Sequence, residues 1–225
     1  MRIAEVFDSI QGEGQYTGVP SSFVRLTGCN LRCWFCDTPY TSWAPEGTIR
    51  SCREVVDEVL HHQNPHVVVT GGEPLLQPEI VPLTEALETH GKRVTIETAA
   101  TVFRPVTASL MSISPKRANS IPRGSRHSKR HEVLRDNRPV VERMLSEYEC
   151  QLKFVIDCND DVDDVQEYLA TTSGARPDHV WLMPQARSVE ELEEKSGWIE
   201  ELAQRHGYHF TGRLHIELFG NVRGK

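Results

Sequence analysis

What most constrains this chain is an alternation. Apolar, β-branched or period-two runs recur near 2–7, 22–27, 66–70, 93–97, 110–114, 151–156, 179–183 and 213–219, and several of the intervals between them carry helical patterns. SCREVVDEVLHHQ puts Val55, Val56, Val59 and Leu60 on one face behind a Ser51/Glu54 capping box. PEIVPLTEALETHG ends on Gly91, and SVEELEEKSGWIEELAQRHG opens with a Ser188/Glu191 box and ends on Gly207. Strand–helix–strand order predicts an α/β fold, a mostly parallel sheet with outer helices, which right-handed crossovers curl into a full or partial (β/α) barrel. No repeat or linker interrupts residues 1–225, which read as a single domain. Function in such a sheet collects at the carboxyl ends of the strands.

Composition supports one ordinary core, with 38% hydrophobic and 25% charged residues. The opening MRIAEVFDSI carries early acids and no signal-like apolar run, and nothing approaches the ~20 apolar residues that span a bilayer. A cytoplasmic protein with no membrane contact is expected. A net charge of −7 argues against a general grip on nucleic acid, which calls for a broad basic surface. The one basic concentration, KRANSIPRGSRHSKRH at 116–131, reads as a solvated loop.

Five motifs follow the strand-like runs and so converge on one rim. GCNLRCWFCDT follows SFVRLT, TGGEP follows HVVV, ETAAT ends RVTI, SPK ends LMSI and MPQ ends VWL. Each alone is an ordinary turn. The first sets Cys29, Cys33 and Cys36 inside eight positions, and three thiols are one short of a structural zinc site or a fully protein-ligated four-iron cluster. No second cysteine pair or nearby Cys/His pair completes a zinc tetrahedron. A redox dithiol from Cys33 and Cys36 would leave Cys29 idle. Cys52, Cys150 and Cys158 read as small buried residues.

The CxxxCxxC spacing, followed after a strand and a helix by Gly71-Gly72-Glu73, resembles the radical S-adenosylmethionine (SAM) superfamily. Within it, SIQGEGQYTGVPSSFVRLTGCNLRCWFCDT at 9–38, TGGEPLLQ at 70–77, SPK at 114–116, QLKFVID at 151–157 and LHIELFGNVRG at 214–224 are similar, end to end, to the 7-carboxy-7-deazaguanine synthase family. The resemblance implies a [4Fe-4S] cluster whose fourth iron is chelated by SAM, reductive cleavage of SAM to a 5′-deoxyadenosyl radical, and ring contraction of 6-carboxy-5,6,7,8-tetrahydropterin with loss of ammonia, on a route to queuosine or another 7-deazapurine. It also implies Mg²⁺, a homodimer and a flavodoxin-like or ferredoxin-like electron donor.

Residue roles follow from the same resemblance. Cys29, Cys33 and Cys36 match the cluster ligands. Phe35, Cys36 and Asp37, Gly72 and Glu73 of the GGE motif, Ser114, Pro115 and Lys116 of SPK, and Gln185 match SAM contacts. Ile10, Gln11, Gly12 and Glu13 match the loop that reads the pterin's amide edge, with Thr70 touching substrate beside them. Arg25 fits the guanidinium that meets the substrate carboxylate, and the Thr38 hydroxyl fits a magnesium ligand. A plain turn at 11–14, a surface ion pair for Arg25 and a helix cap at Thr38 are the structural alternatives.

Two departures stand out. ETAAT replaces an expected Thr-Asn-Gly-Thr ending, which leaves contacts from Ala99 and Ala100 in question, and the tail GNVRGK is longer than in short members whose terminus meets substrate, so Lys225 receives no role. His215 is the candidate in its place, or caps a strand. The alternatives from other classes are a glycyl-radical-enzyme activase, which shares CxxxCxxC and GGEP, and a non-enzymatic iron–sulfur module. QGEG and CDT favour a small polar substrate.

Overall fold

Strands that read as apolar runs pair in chain order. The computed structural model describes residues 1–225. Its elements are β1 (Arg2–Ile10), β2 (Pro20–Leu26), α1 (Pro39–Ser42), β3 (Thr48–Ile49), α2 (Cys52–His61), β4 (His66–Gly71), α3 (Ile80–Thr89), β5 (Arg93–Thr98), β6 (Leu110–Ile113), α4 (Ser128–Arg135), α5 (Arg138–Glu147), β7 (Cys150–Ile156), α6 (Asp160–Ala170), β8 (Val180–Pro184), α7 (Val189–His206), β9 (His209–Phe210) and α8 (Leu214–Phe219). One nine-stranded sheet runs in the order β3-β1-β2-β4-β5-β6-β7-β8-β9. From β2 to β9 every pairing is parallel, while β1 joins β2 and β3 antiparallel. The end strands β3 and β9 do not pair, so the barrel is partial.

The core explains the strand sequences. Val67, Val69, Val94, Ile96, Met111, Ile113, Leu152, Phe154 and Leu182 join Val55, Val56 and Val59 of α2 and Ile80, Leu83 and Leu87 of α3 in one buried cluster. A central parallel strand is buried on both faces, which is why HVVV reads as an unbroken apolar run. Ser51 caps α2 reciprocally: its Oγ accepts from Glu54 N at 3.3 Å while Glu54 Oε2 accepts from Ser51 N at 2.7 Å. Helix α7 ends at Gly207, whose φ of 70° is the left-handed conformation of a C-cap.

Four expectations are corrected. Residues 214–219 form a helix rather than a strand, because β9 already pairs the β8 edge and Ile216 is buried against Ala186 and Leu192. The Ser188/Glu191 box is half formed: Ser188 Oγ accepts from Glu191 N at 3.3 Å, but the Glu191 carboxylate takes Arg187 N. Cys158 is exposed rather than buried. The basic stretch is not wholly a loop, since α4 begins at Ser128 and buries His131, whose Nδ1 accepts from Arg32 N at 3.0 Å. That bond ties the basic segment to the cysteine loop.

Candidate active site

The five rim motifs surround one cavity of about 450 Å³ at the carboxyl ends of the strands. All the expected site residues line it except Glu73 and Pro115.

Strand β2 feeds the cysteine loop and β4 holds it. A Cβ added to Gly72 would lie 2.3 Å from the Gly28 carbonyl oxygen and 2.9 Å from Cys29 Cβ, and Gly71, at φ 137°, presses equally close to Leu26. The two glycines therefore let β4 close on the start of the loop, and Glu73 N donates to Gly28 O at 2.9 Å. The Glu73 carboxylate is buried, accepting from the Thr98 hydroxyl at 2.7 Å, Ala99 N at 2.9 Å and Leu75 N at 3.2 Å, and burial raises its pKa. Glu73 thus fastens the ETAAT strand end beneath the loop.

Cys29, Cys33 and Cys36 are unpaired and all face the cavity. No three His, Cys, Asp or Glu side chains converge on one point as a single ion requires. A four-iron cluster gives each thiolate its own iron and so does not require that convergence. Burial pushes the Cys29 and Cys33 thiols up to about 12, so a cationic group bound by them as thiolates offsets that burial. Lys116, whose Nζ donates to Ser114 Oγ at 2.6 Å, lies on the same side and lowers the Cys33 value.

The opposite wall is charged. Lys153 pairs with Glu13 and lies 3.8 Å from Glu97, with its pKa raised because these carboxylates outweigh burial. Arg213 Nε donates to Glu13 Oε1 at 2.9 Å, and its Nη2 pairs with Asp37. Burial alone would raise Glu13 and Asp37, yet Lys153 and Arg213 hold Glu13 well below the usual carboxylate range and Arg213 holds Asp37 below it. Glu97 accepts from Gln11 Nε2 at 3.2 Å and from the Thr70 hydroxyl at 2.8 Å, joining two expected substrate residues. Gly12 has no room for a side chain, since its Cβ would fall 2.0 Å from His215 Nδ1. His215 sits on α8 rather than capping a strand, and burial lowers its pKa.

Arg25 is an ion-pair partner and a cavity residue at once. Its Nε donates to Glu5 Oε1 at 2.7 Å, as does the Tyr40 hydroxyl, and its terminal nitrogens have no protein hydrogen bond. Arg223 pairs with Glu5 at 3.3 Å and Glu46 at 2.8 Å, which folds the tail back so that Asn221, Val222, Arg223 and Lys225 line the cavity. Thr38 stands at the start of α1, but its side chain makes no capping bond. Its carbonyl accepts from Thr41 N and Oγ1, both at 2.9 Å. Gln185 is held by Lys195, whose Nζ donates to Gln185 Oε1 at 2.9 Å.

Glu97, Lys153 and Arg213 are the residues that sequence reasoning missed. The signal for the first two was a charge inside an apolar strand, RVTIET and QLKFVI, where burial demands a partner. Arg213 offered none.

An open, mostly parallel sheet with three free thiols at its carboxyl rim defines the radical SAM class, and the sequence pattern of the Radical SAM superfamily matches residues 23–119. Full-length relatives narrow this. The chain is 43% identical over 226 residues to 7-carboxy-7-deazaguanine synthase of Rhodopirellula baltica, covering 99% of this chain and 88% of the relative. It is 38% identical to the Halobacterium salinarum protein of the same name, covering 98% and 91%. The crystal structure of QueE from Escherichia coli superposes with a TM-score of 0.73 at 25% identity, over 95% of this chain and 94% of that one. The chain belongs to the 7-carboxy-7-deazaguanine synthase family, and membership carries with it a [4Fe-4S] cluster and SAM.

Proposed function

We propose that this enzyme converts 6-carboxy-5,6,7,8-tetrahydropterin into 7-carboxy-7-deazaguanine and ammonia by radical ring contraction. One observation carries the reading. A single cavity holds the three free thiols at one side and, at the other, a carboxylate and amide set of the kind that pairs with a pterin's donors and acceptors. When bound, the cluster and SAM would supply the one-electron reductive chemistry that generates a radical able to take a hydrogen from the pterin carbon bearing the carboxylate.

The chain's part is to bind, orient and keep water out. Cys29, Cys33 and Cys36 hold three irons. Gly72 and Glu73 would receive the SAM amino group, Ser114, Lys116 and Gln185 would contact the same ligand, and Phe35 would cover its adenine. Ile10, Gln11, Gly12 and Glu13 read the pterin edge, with Glu97 set between Gln11 and Thr70. The free Nη pair of Arg25 meets the substrate carboxylate. Thr38, whose hydroxyl is not spent on a helix cap, would supply an oxygen to Mg²⁺.

The chain works as a homodimer in the cytoplasm, where thiols stay reduced; no helix is long and apolar enough to cross a membrane. A flavodoxin-like or ferredoxin-like donor delivers the electron. The cysteine loop offers it an exposed face: Trp43 Nε1 donates to Cys33 O at 3.0 Å, Trp34 is its exposed neighbour, and Trp43 packs against His127 of the basic segment. The test is anaerobic reconstitution with iron and sulfide, then incubation with SAM, dithionite, Mg²⁺ and the carboxytetrahydropterin. The expected result is the deazaguanine product with one ammonia per turnover. A fully loaded protein that cleaves SAM yet forms neither would refute the reading.

A further inference from the structure

The Glu13–Arg213–Asp37 bridge joins two loops that the site keeps otherwise apart. Arg213 is buried at the start of α8 and forks three ways: Nε to Glu13 Oε1 at 2.9 Å, Nη2 to Asp37, and Nη1 to the Ala186 carbonyl. Glu13 ends the loop after β1, Asp37 follows the cluster ligand Cys36 directly, and Ala186 follows Gln185 at the end of β8. Residues 200 and 176 positions apart in sequence are thus held by one planar group.

We infer that Arg213 is a positioning residue that sets the spacing between the pterin loop and the SAM-bearing cluster loop. The inference rests on the functional reading above. Hydrogen transfer needs the reacting atoms within about 3–3.5 Å, and a misplacement of about 1 Å costs about a hundredfold in rate. Glu13 is one side of that distance and the Cys36–Asp37 step is the other. Both carboxylates bond the same buried guanidinium, so neither loop can shift relative to the other without breaking a charge-assisted bond. The shape of the group matters as well as its charge. Lysine presents a point charge on a flexible stem and does not reproduce a rigid fork with three partners. Lys153 already neutralises Glu13 from the far side and makes no bond to Asp37, so charge balance at Glu13 does not require Arg213 to reach the cluster loop.

The test measures 5′-deoxyadenosine and pterin product together in reconstituted enzyme, for the parent, Arg213→Gln, Arg213→Lys and Asp37→Asn. Iron content and the affinity of the unreduced, SAM-loaded protein for the pterin, by anaerobic equilibrium dialysis, are measured alongside. The clamp predicts that product formation falls about a hundredfold in Arg213→Gln while SAM cleavage falls far less, so that 5′-deoxyadenosine per product rises at least about tenfold. Arg213→Lys should regain iron content and thermal stability without regaining the ratio, and pterin affinity should weaken in both variants. Asp37→Asn, which keeps Arg213 and its bond to Glu13, should raise the ratio too, and it decides the matter if the Arg213 variants fail to fold. A merely structural arginine would lower both products in step. Parental ratio and pterin affinity in Arg213→Lys or Asp37→Asn at full iron content would overturn the clamp. Absence of pterin conversion by the parent would overturn the functional reading and this inference with it.

Discussion

Replacing Gly72 by alanine tests whether the glycines of GGEP serve the cluster loop. The added Cβ would lie 2.3 Å from the Gly28 carbonyl oxygen, 2.6 Å from the Gly28 carbonyl carbon and 2.9 Å from Cys29 Cβ. Two of the three are backbone atoms that cannot rotate away. Gly28 is itself fixed, with its N donating to Thr41 O at 2.8 Å and its carbonyl accepting from Glu73 N at 2.9 Å. Relief must come from moving either the end of β4 or the first turn of the cysteine loop. Overpacking of this kind costs about 1–3 kcal/mol, which for a chain of this size lowers Tm by roughly 2–12 °C. Gly72→Ala should therefore melt earlier as the metal-free protein and, because the displaced atoms belong to Gly28 and Cys29 at the start of the cysteine loop, should also hold well under four irons after reconstitution. Gly197→Ala is the control, since it lies in α7 with nothing within 4 Å of the added carbon. It should stabilise by about 0.8–1 kcal/mol through helix propensity and leave iron untouched. Calorimetry and iron assay on the two variants suffice. A Gly72→Ala protein with parental Tm and full iron would show that β4 does not brace the loop.

The remaining expectations follow from other parts of the molecule. Cys33→Ala should lose the cluster and its broad thiolate-to-iron absorption near ~400 nm, whereas Cys52→Ala, at the start of α2, should keep both on iron and sulfide assay. Thr38→Ala should retain iron and SAM binding but lose most of its magnesium-stimulated turnover, and an undiminished magnesium response would place the ion elsewhere. His66 is held between Ser21 Oγ at 2.7 Å and Thr95 Oγ1 at 2.8 Å, and burial together with the Arg93 charge lowers its pKa to about 4. Above the unfolded value near ~6.5 both states are neutral, while below it the unfolded chain takes up the proton first. Stability should therefore fall by about 1.4 kcal/mol per pH unit from this group as pH drops from ~6.5 toward 4, and His66→Gln should show a shallower slope in urea melts across that window.

Much of this protein is local in origin and so was legible in the chain. The HVVV and LMSI runs are buried on both faces, Ser51 and Glu54 cap one another three residues apart, and CxxxCxxC needs only a short loop to bring three thiols to one rim; each is a property of neighbouring residues. The failures were of two kinds. RLHIELF alternates like a strand but is a helix, because over six residues a period of two and a short amphipathic turn look alike and only an edge already paired with β9 excludes the strand. The charges of the site form the second kind. Glu97 and Lys153 stand out in their strands as charges in need of partners, but which carboxylate meets which cation depends on β5 and β7 lying two strands apart in one sheet. Arg213 carries no mark at all in a tail of ordinary composition. Its meeting with Glu13 and Asp37 is decided by β1, the cysteine loop and the start of α8 closing over the same cavity, because ion pairing follows distance in space, and distance in space across a sheet is set by strand order rather than by separation along the chain.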